Sequence, residues 1–249
     1  MGVPLALEKP DLHLQSGDRL VVRPHDEELG AQLPFAYHQE YGYLTSCPTN
    51  VGTGLRASIL IHLPGLVLTK EIGKVLQGIS QVGLTFRGLY GEGSEVVGNF
   101  FQISNQTTLG KSEEDLVEHL GKIVGRVIQY ETGAREILMR DAPTVIEDKI
   151  WRAYGLLRYA RSLSFDEVMN LLSGVRLGMS MNLLSGLRVY TLNKLMIFAR
   201  DAHLEQAAGR PLRDAESDLH RAAYVRRVLA TEGDVSADPG GAQDDLKTS

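Results

Sequence analysis

The chain has 249 residues, 43% of them hydrophobic and 23% charged, a composition that excludes general disorder and a length that buries a sizeable core in one or two domains. Its formal net charge of −5 excludes sequence-independent nucleic-acid binding, which needs a basic excess. No apolar run reaches the roughly 18 residues of a membrane-spanning helix, so no membrane partner is expected. Residues 1–30 read as irregular, because Pro4, Pro10 and Pro24 break any long element. They carry Glu8, Asp11, Asp18 and Asp26 and lack an apolar h-region, so they do not read as a signal peptide, and a cytoplasmic location is expected. Cys47 is the single cysteine, which excludes an intramolecular disulfide and fits a reducing compartment.

Ser58 to Leu63 is β-rich and is expected to form a strand stopped by a turn at Pro64-Gly65. Ile72, Val75, Leu76 and Ile79 follow at helical spacing. Val82 to Arg87 and Val97 to Ile103 read as two further strands, flanking a glycine-rich loop over 88–93. Ser112-Glu113-Glu114-Asp115 has the form of a capping box with Asp at N3, opening a helix to about Met139 with Leu116, Leu120, Ile123, Val124, Val127 and Ile128 on its stripe. Beyond Pro143 the chain is helical, with Ile146, Ile150, Tyr154 and Leu157 on one face, a second capping start at Ser164-Phe165-Asp166-Glu167, and helices over 190–200 and 215–230. Residues 231–249 carry five acids against one lysine and are expected to be a disordered tail. The order of strands and helices predicts an α+β sheet with helices packed on it.

Two segments carry candidate chemistry. Arg56 and Arg87 each lie beside glycines at the edge of an apolar strand, and Glu92 follows the second arginine by five residues. Phosphoryl transfer asks for positioning and positive charge, and a guanidinium fork binds phosphate oxygens bidentately while staying charged. A lone arginine is usually a solvated strand-end residue; the flanking glycines and the second copy argue against that here. Glu92, or Glu95 beside it, could accept a proton or orient a substrate cation. Cys47 precedes Pro48, which biases it to extended backbone and away from an activating helix N-terminus. No metal site is expected, since His62, His119, His203 and His220 are scattered, and Gly52-Thr53-Gly54 lacks the lysine of a P-loop.

The run Tyr43-Leu44-Thr45-Ser46-Cys47-Pro48-Thr49-Asn50-Val51-Gly52-Thr53-Gly54-Leu55-Arg56-Ala57-Ser58 resembles the signature of the ATP:guanido phosphotransferases, the phosphagen kinases. Arg87-Gly88-Leu89-Tyr90-Gly91-Glu92 resembles their second active-site segment. Ile103 to Asp115 and the helical C-terminal portion resemble, more narrowly, the bacterial protein-arginine kinases. The resemblance covers roughly residues 31–230. It implies an antiparallel sheet flanked by helices, as in the glutamine-synthetase-like catalytic domain, over 31–142, then a helical phosphoarginine-binding or regulatory region over 143–230.

The resemblance further implies Mg2+-ATP as donor and protein arginine side chains as acceptor. Arg56, Ala57, Ser58, Ile59 and Leu60 with Arg87, Gly88, Leu89, Tyr90, Gly91 and Glu92 would contact ATP. Glu92 would orient the acceptor, and Cys47 would tune its surroundings, giving a catalytic set of Glu92, Cys47, Arg56 and Arg87. Ser217-Asp218-Leu219-His220-Arg221-Ala222 is similar to a phosphoarginine-binding motif in which Ser217 stands in place of an arginine; Asp218 would pair with the guanidinium and Arg221 with the phosphate. Implied partners are proteins with exposed arginines, a Clp-type chaperone ATPase, an activator protein, and a second copy of the chain.

The family's N-terminal arginine-rich motif has no counterpart here. Its Asn-Glu-Glu-Asp-His segment is matched loosely by Glu8 to Gln15, with Lys9 at the place of the glutamate. Impaired turnover is therefore expected, and two alternatives stay open: an inactive phosphoarginine-binding module, and a kinase of free guanidino compounds.

Overall fold

The computed structural model describes residues 30–88, 96–232 and 235. The expected irregular N-terminal segment, the loop that holds Glu92 and Glu95, and nearly all of the acidic tail lie outside these residues. The architecture is α+β, in two compact units. Among the described residues the first unit takes 30–61, 70–88 and 100–131, and the second takes 62–69, 96–99 and 132 onward.

The first unit opens with a small antiparallel hairpin, β1 (Tyr37–His38) and β2 (Gly42–Tyr43). Its main sheet has three strands, β3 (Ser58–His62), β4 (Leu84–Gly88) and β5 (Phe100–Asn105), with β5 in the centre. β4 and β5 run antiparallel, with Leu84 opposite Asn105 and Gly88 opposite Phe101. Successive side chains on a strand point to opposite faces. Phe101, Ile103, Leu84 and Ile59 are accordingly buried on one side, each apolar side chain of this size contributing about 1.5–3 kcal/mol.

After β3 come α1 (Pro64–Leu68) and α2 (Ile72–Gln81); α2 packs along β4 and buries Ile79. A turn was expected at Pro64-Gly65, but Pro64 opens α1. Proline suits a first helical position because the donor it lacks has no helical acceptor there. The strand expected from Val97 begins at Phe100, because Gly98 and Asn99 take left-handed backbone with φ of 65° and 60°. The long helix α3 (Glu113–Asp141) begins on the expected cap. Ser112 Oγ accepts from the Asp115 N–H at 3.1 Å, and Asp115 Oδ2 accepts from the Ser112 N–H at 3.3 Å. Ser112 Oγ also donates to Asp115 Oδ2 at 2.7 Å, and this bond, then the one from the Ser112 N–H, holds the Asp115 carboxyl below its ordinary range. Leu116, Leu120, Val124 and Val127 form its buried stripe.

The second unit is helical: with α1 and the end of α3 it holds α4 (Pro143–Tyr159), α5 (Phe165–Ser180), α6 (Val189–Phe198), α7 (Asp201–Ala208) and α8 (Asp214–Ala230). Ile146, Ile150 and Leu157 of α4, Val168 and Leu172 of α5, Leu192 and Leu195 of α6, and Val225 and Leu229 of α8 share one core. α4 and α5 approach closely at Gly178, where a Cβ would lie 2.4 Å from Ile150 Cγ2. Ser164 caps α5, its Oγ accepting from the Glu167 N–H at 3.2 Å. The helix expected over 190–200 stops at Phe198, because Arg200 is extended and caps a separate helix, α7, which ends at the left-handed Gly209.

Candidate functional site

One face of the three-stranded sheet carries Arg87, and Arg56, just ahead of β3, bonds to a residue of the same face. Arg87 on β4 stands directly opposite Gln102 on β5. Gln102 Nε2 donates to Ser58 Oγ on β3 at 3.0 Å, so these three strands present Arg87, Gln102 and Ser58 on the same side. Two residues along β5, Ser104 points the same way with its cross-strand partner Thr85, and Ser104 Oγ accepts from Arg56 Nη2 at 3.4 Å. Leu60 also emerges here and is 42% exposed, whereas Ile59 turns into the core. Arg56 is exposed, Arg87, Ser58 and Gln102 are half-buried, and Ser104 is buried beneath them, so the groups open to a ligand on this face are two arginines, one hydroxyl and one amide, donors that suit the oxygens of a polyphosphate. Thr85, Gln102 and Ser104 were not singled out from sequence. Their signal is the period-two alternation of Gln102 and Ser104 with Phe101 and Ile103.

Arg56 sits on a backbone that is tied down on both sides. The Ala57 N–H donates to Asn105 Oδ1 at 2.8 Å, the Asn105 N–H donates to Ala57 O at 3.2 Å, and Asn105 Nδ2 donates to Leu55 O at 3.0 Å. Further back, Thr108 Oγ1 donates to Val51 O at 2.8 Å and the Thr53 N–H donates to Thr108 O at 3.2 Å. Gly52 is required between them: its φ is 127°, and a Cβ would lie 2.3 Å from Thr108 O.

Cys47 is exposed and extended, as expected before proline, with φ −107° and ψ 119°. It is nonetheless the cap of a single 3₁₀ turn (Pro48–Asn50): its carbonyl accepts from the Asn50 N–H at 3.0 Å and from Thr45 Oγ1 at 2.7 Å. A turn that short carries too little dipole to activate a thiol. Gly88 ends β4 buried opposite Phe101. Leu89, Tyr90, Gly91, Glu92 and Glu95 lie outside the described residues. Among the described residues, no three His, Cys, Asp or Glu side chains converge on a metal position.

In the second unit, Ser217, Arg221 and Ala222 are buried and Asp218 is partly exposed. The Arg221 guanidinium is 2% exposed and makes four hydrogen bonds: Nε to Ala199 O at 2.8 Å, Nη1 to Leu163 O at 2.8 Å and to Asp218, and Nη2 to Asp201. Four of its five N–H donors are thus engaged within the fold. Elsewhere in this unit His62 Nε2 lies 2.8 Å from Ser173 Oγ, which also accepts from Asn99 Nδ2 at 2.7 Å. Burial first, then the Arg176 and Arg135 charges, hold His62 well below the usual imidazole range. Ser173 is 1% exposed, and through it His62 and Asn99 are both tied to α5.

Residues 14–134 match the family described as ATP:guanido phosphotransferase, C-terminal catalytic domain, and residues 143–239 match the protein-arginine kinase McsB C-terminal domain. The protein-arginine kinase of Pelotomaculum thermopropionicum is 50% identical over 210 residues, which are 84% of this chain and 59% of that protein. That of Bacillus subtilis is 47% identical over 207 residues, 83% of this chain and 57% of that protein. A taurocyamine kinase structure from Schistosoma mansoni is 33% identical with a TM-score of 0.40, covering 45% of this chain and 15% of that one. The chain thus spans less than two thirds of the length of the curated relatives it matches.

Proposed function

Because the chain belongs to the ATP:guanido phosphotransferase family, in its protein-arginine kinase branch, we propose that the polar face of its sheet holds the polyphosphate of ATP for transfer of the γ-phosphoryl group to arginine side chains of proteins. The observation that supports this most is the presence of Arg56 and Arg87 on one face with Ser58, Gln102 and Ser104. Mg2+ enters with the nucleotide as part of the substrate. In the transfer, the bond from the γ-phosphorus to the ADP oxygen breaks, a phosphorus–nitrogen bond forms, and the guanidinium gives up a proton. With a pKa above about 12 the guanidinium is a poor nucleophile, so a carboxylate must align it and take that proton. Glu92 is the proposed carboxylate, with Cys47 lying beside the acceptor. Arg56 and Arg87 hold the charge that develops on the transferring group.

The test is phosphoarginine formation from Mg2+-ATP and an unfolded, arginine-rich protein, read by mass spectrometry without acid exposure. It is run on the chain alone and on the chain fused behind the N-terminal portion of the Bacillus subtilis relative. Phosphoarginine on protein in excess of phosphorylated free arginine, abolished by Glu92→Ala, is the expected result. No phosphoarginine from either preparation refutes the proposal.

A further inference from the structure

We propose that Asn105 is a positioning residue for Arg56, setting the direction of its guanidinium through the backbone and not by touching the ligand. The proposal rests on the nucleotide-face reading above. Asn105 is 7% exposed and lies opposite Leu84, one residue on from Ser104 and therefore on the other side of β5. From there its side chain cannot reach a ligand on the polar face. It instead grips both chain neighbours of Arg56: Oδ1 accepts the Ala57 N–H at 2.8 Å and Nδ2 donates to Leu55 O at 3.0 Å. The Asn105 N–H adds a bond to Ala57 O at 3.2 Å, and Nδ2 also reaches Thr107 O at 3.4 Å. Ser104, the adjacent residue, takes the guanidinium itself at 3.4 Å. Two consecutive residues thus fix Arg56 at both ends, one at the backbone and one at the fork.

An apolar residue would fill this buried place at lower desolvation cost than an amide. What the amide adds is direction, and a fork that binds phosphate bidentately tolerates little angular error. Asn105→Leu keeps the branched shape with somewhat greater bulk and removes all three side-chain bonds, and Ser104→Ala removes the contact at the fork alone.

Two readouts separate this proposal from the reading beneath it. The first is Mg2+-ATP affinity by calorimetry in the wild type, Asn105→Leu, Arg56→Ala and the double variant. Arg56→Ala is expected to weaken binding about 10-fold or more, as a charge-assisted bond should. Asn105→Leu is expected to weaken it about 5-fold in the wild type and less than about 2-fold once Arg56 is gone, the signature of one residue acting through another. Equal losses in both backgrounds overturn the proposal. The second is the ¹⁵N order parameter of the Arg56 Nε–H, which needs no ligand. It should fall in Asn105→Leu and in Ser104→Ala, with the Ala57 amide losing exchange protection in the first variant and keeping it in the second. Unchanged Arg56 order in a folded Asn105→Leu chain overturns the proposal even if the wild type binds no nucleotide. That last result alone would fail the nucleotide-face reading and leave the positioning of Arg56 decided by its order.

Discussion

Replacing Arg221 with leucine tests whether the guanidinium in the Ser217–Ala222 motif is part of the fold. The substitution removes four hydrogen bonds at a group that is 2% exposed. The carbonyls of Ala199 and Leu163 lose a charged donor inside the helical unit, at about 1–3 kcal/mol each. The Asp201 and Asp218 side chains are 62% and 33% exposed, so water re-solvates them and their share is small. The loss should therefore be about 3 kcal/mol, a large part of the roughly 5–15 kcal/mol that holds a domain together. Trp151, the single tryptophan, lies on α4 in the same unit, so its fluorescence during urea unfolding reports the right part of the chain. Asp201→Asn and Asp218→Asn should each cost less than about 1 kcal/mol. A loss below about 1 kcal/mol for Arg221→Leu, at an unchanged denaturant slope, would refute the reasoning.

Three further outcomes are expected. His62 is held neutral in the fold, so below its unfolded value near 6.5 the unfolded chain binds a proton that the folded chain does not. Stability should then fall as the pH drops below about 6.5, by up to about 1.4 kcal/mol per pH unit, and His62→Gln should flatten that slope; an identical slope in the variant would contradict the assignment. Gly52→Ala places a Cβ against Thr108 O on backbone that suits glycine, and should cost at least about 2 kcal/mol by urea unfolding; an unchanged midpoint would speak against the close approach. Ser164→Ala removes the cap of α5 and should cost about 1 kcal/mol, whereas no change would mean that the cap bond is not formed in solution.

Periodicity made the long elements legible: the stripe of α3, the face of α4 and the caps at Ser112 and Ser164 all follow from local spacing. The short pieces escaped because their reasons are local strain or long range. Two residues per strand in β1 and β2 give no alternation to detect. α1 hides behind a Pro-Gly pair that more often marks a turn, and the break before α7 rests on the backbone of Arg200. The arginines of the candidate site could be read from glycine context, and their shared face could not. That face follows from Arg87 standing opposite Gln102, and from Arg56 meeting Ser104, 48 residues away in the chain. The clamp by Asn105 on residues 55–57 is equally non-local.

The claim that carries the account is that Arg56 and Arg87 act together on a nucleotide at the polar face. Titrating Mg2+-ATP into the wild type and the Arg56→Ala, Arg87→Ala double variant by calorimetry, at low and high salt, tests it directly. Two charge-assisted contacts, at about 1.5–3 kcal/mol each, predict a weakening of about 100-fold or more and a shallower salt dependence in the variant. Equal affinity and equal salt dependence in the two proteins would contradict it.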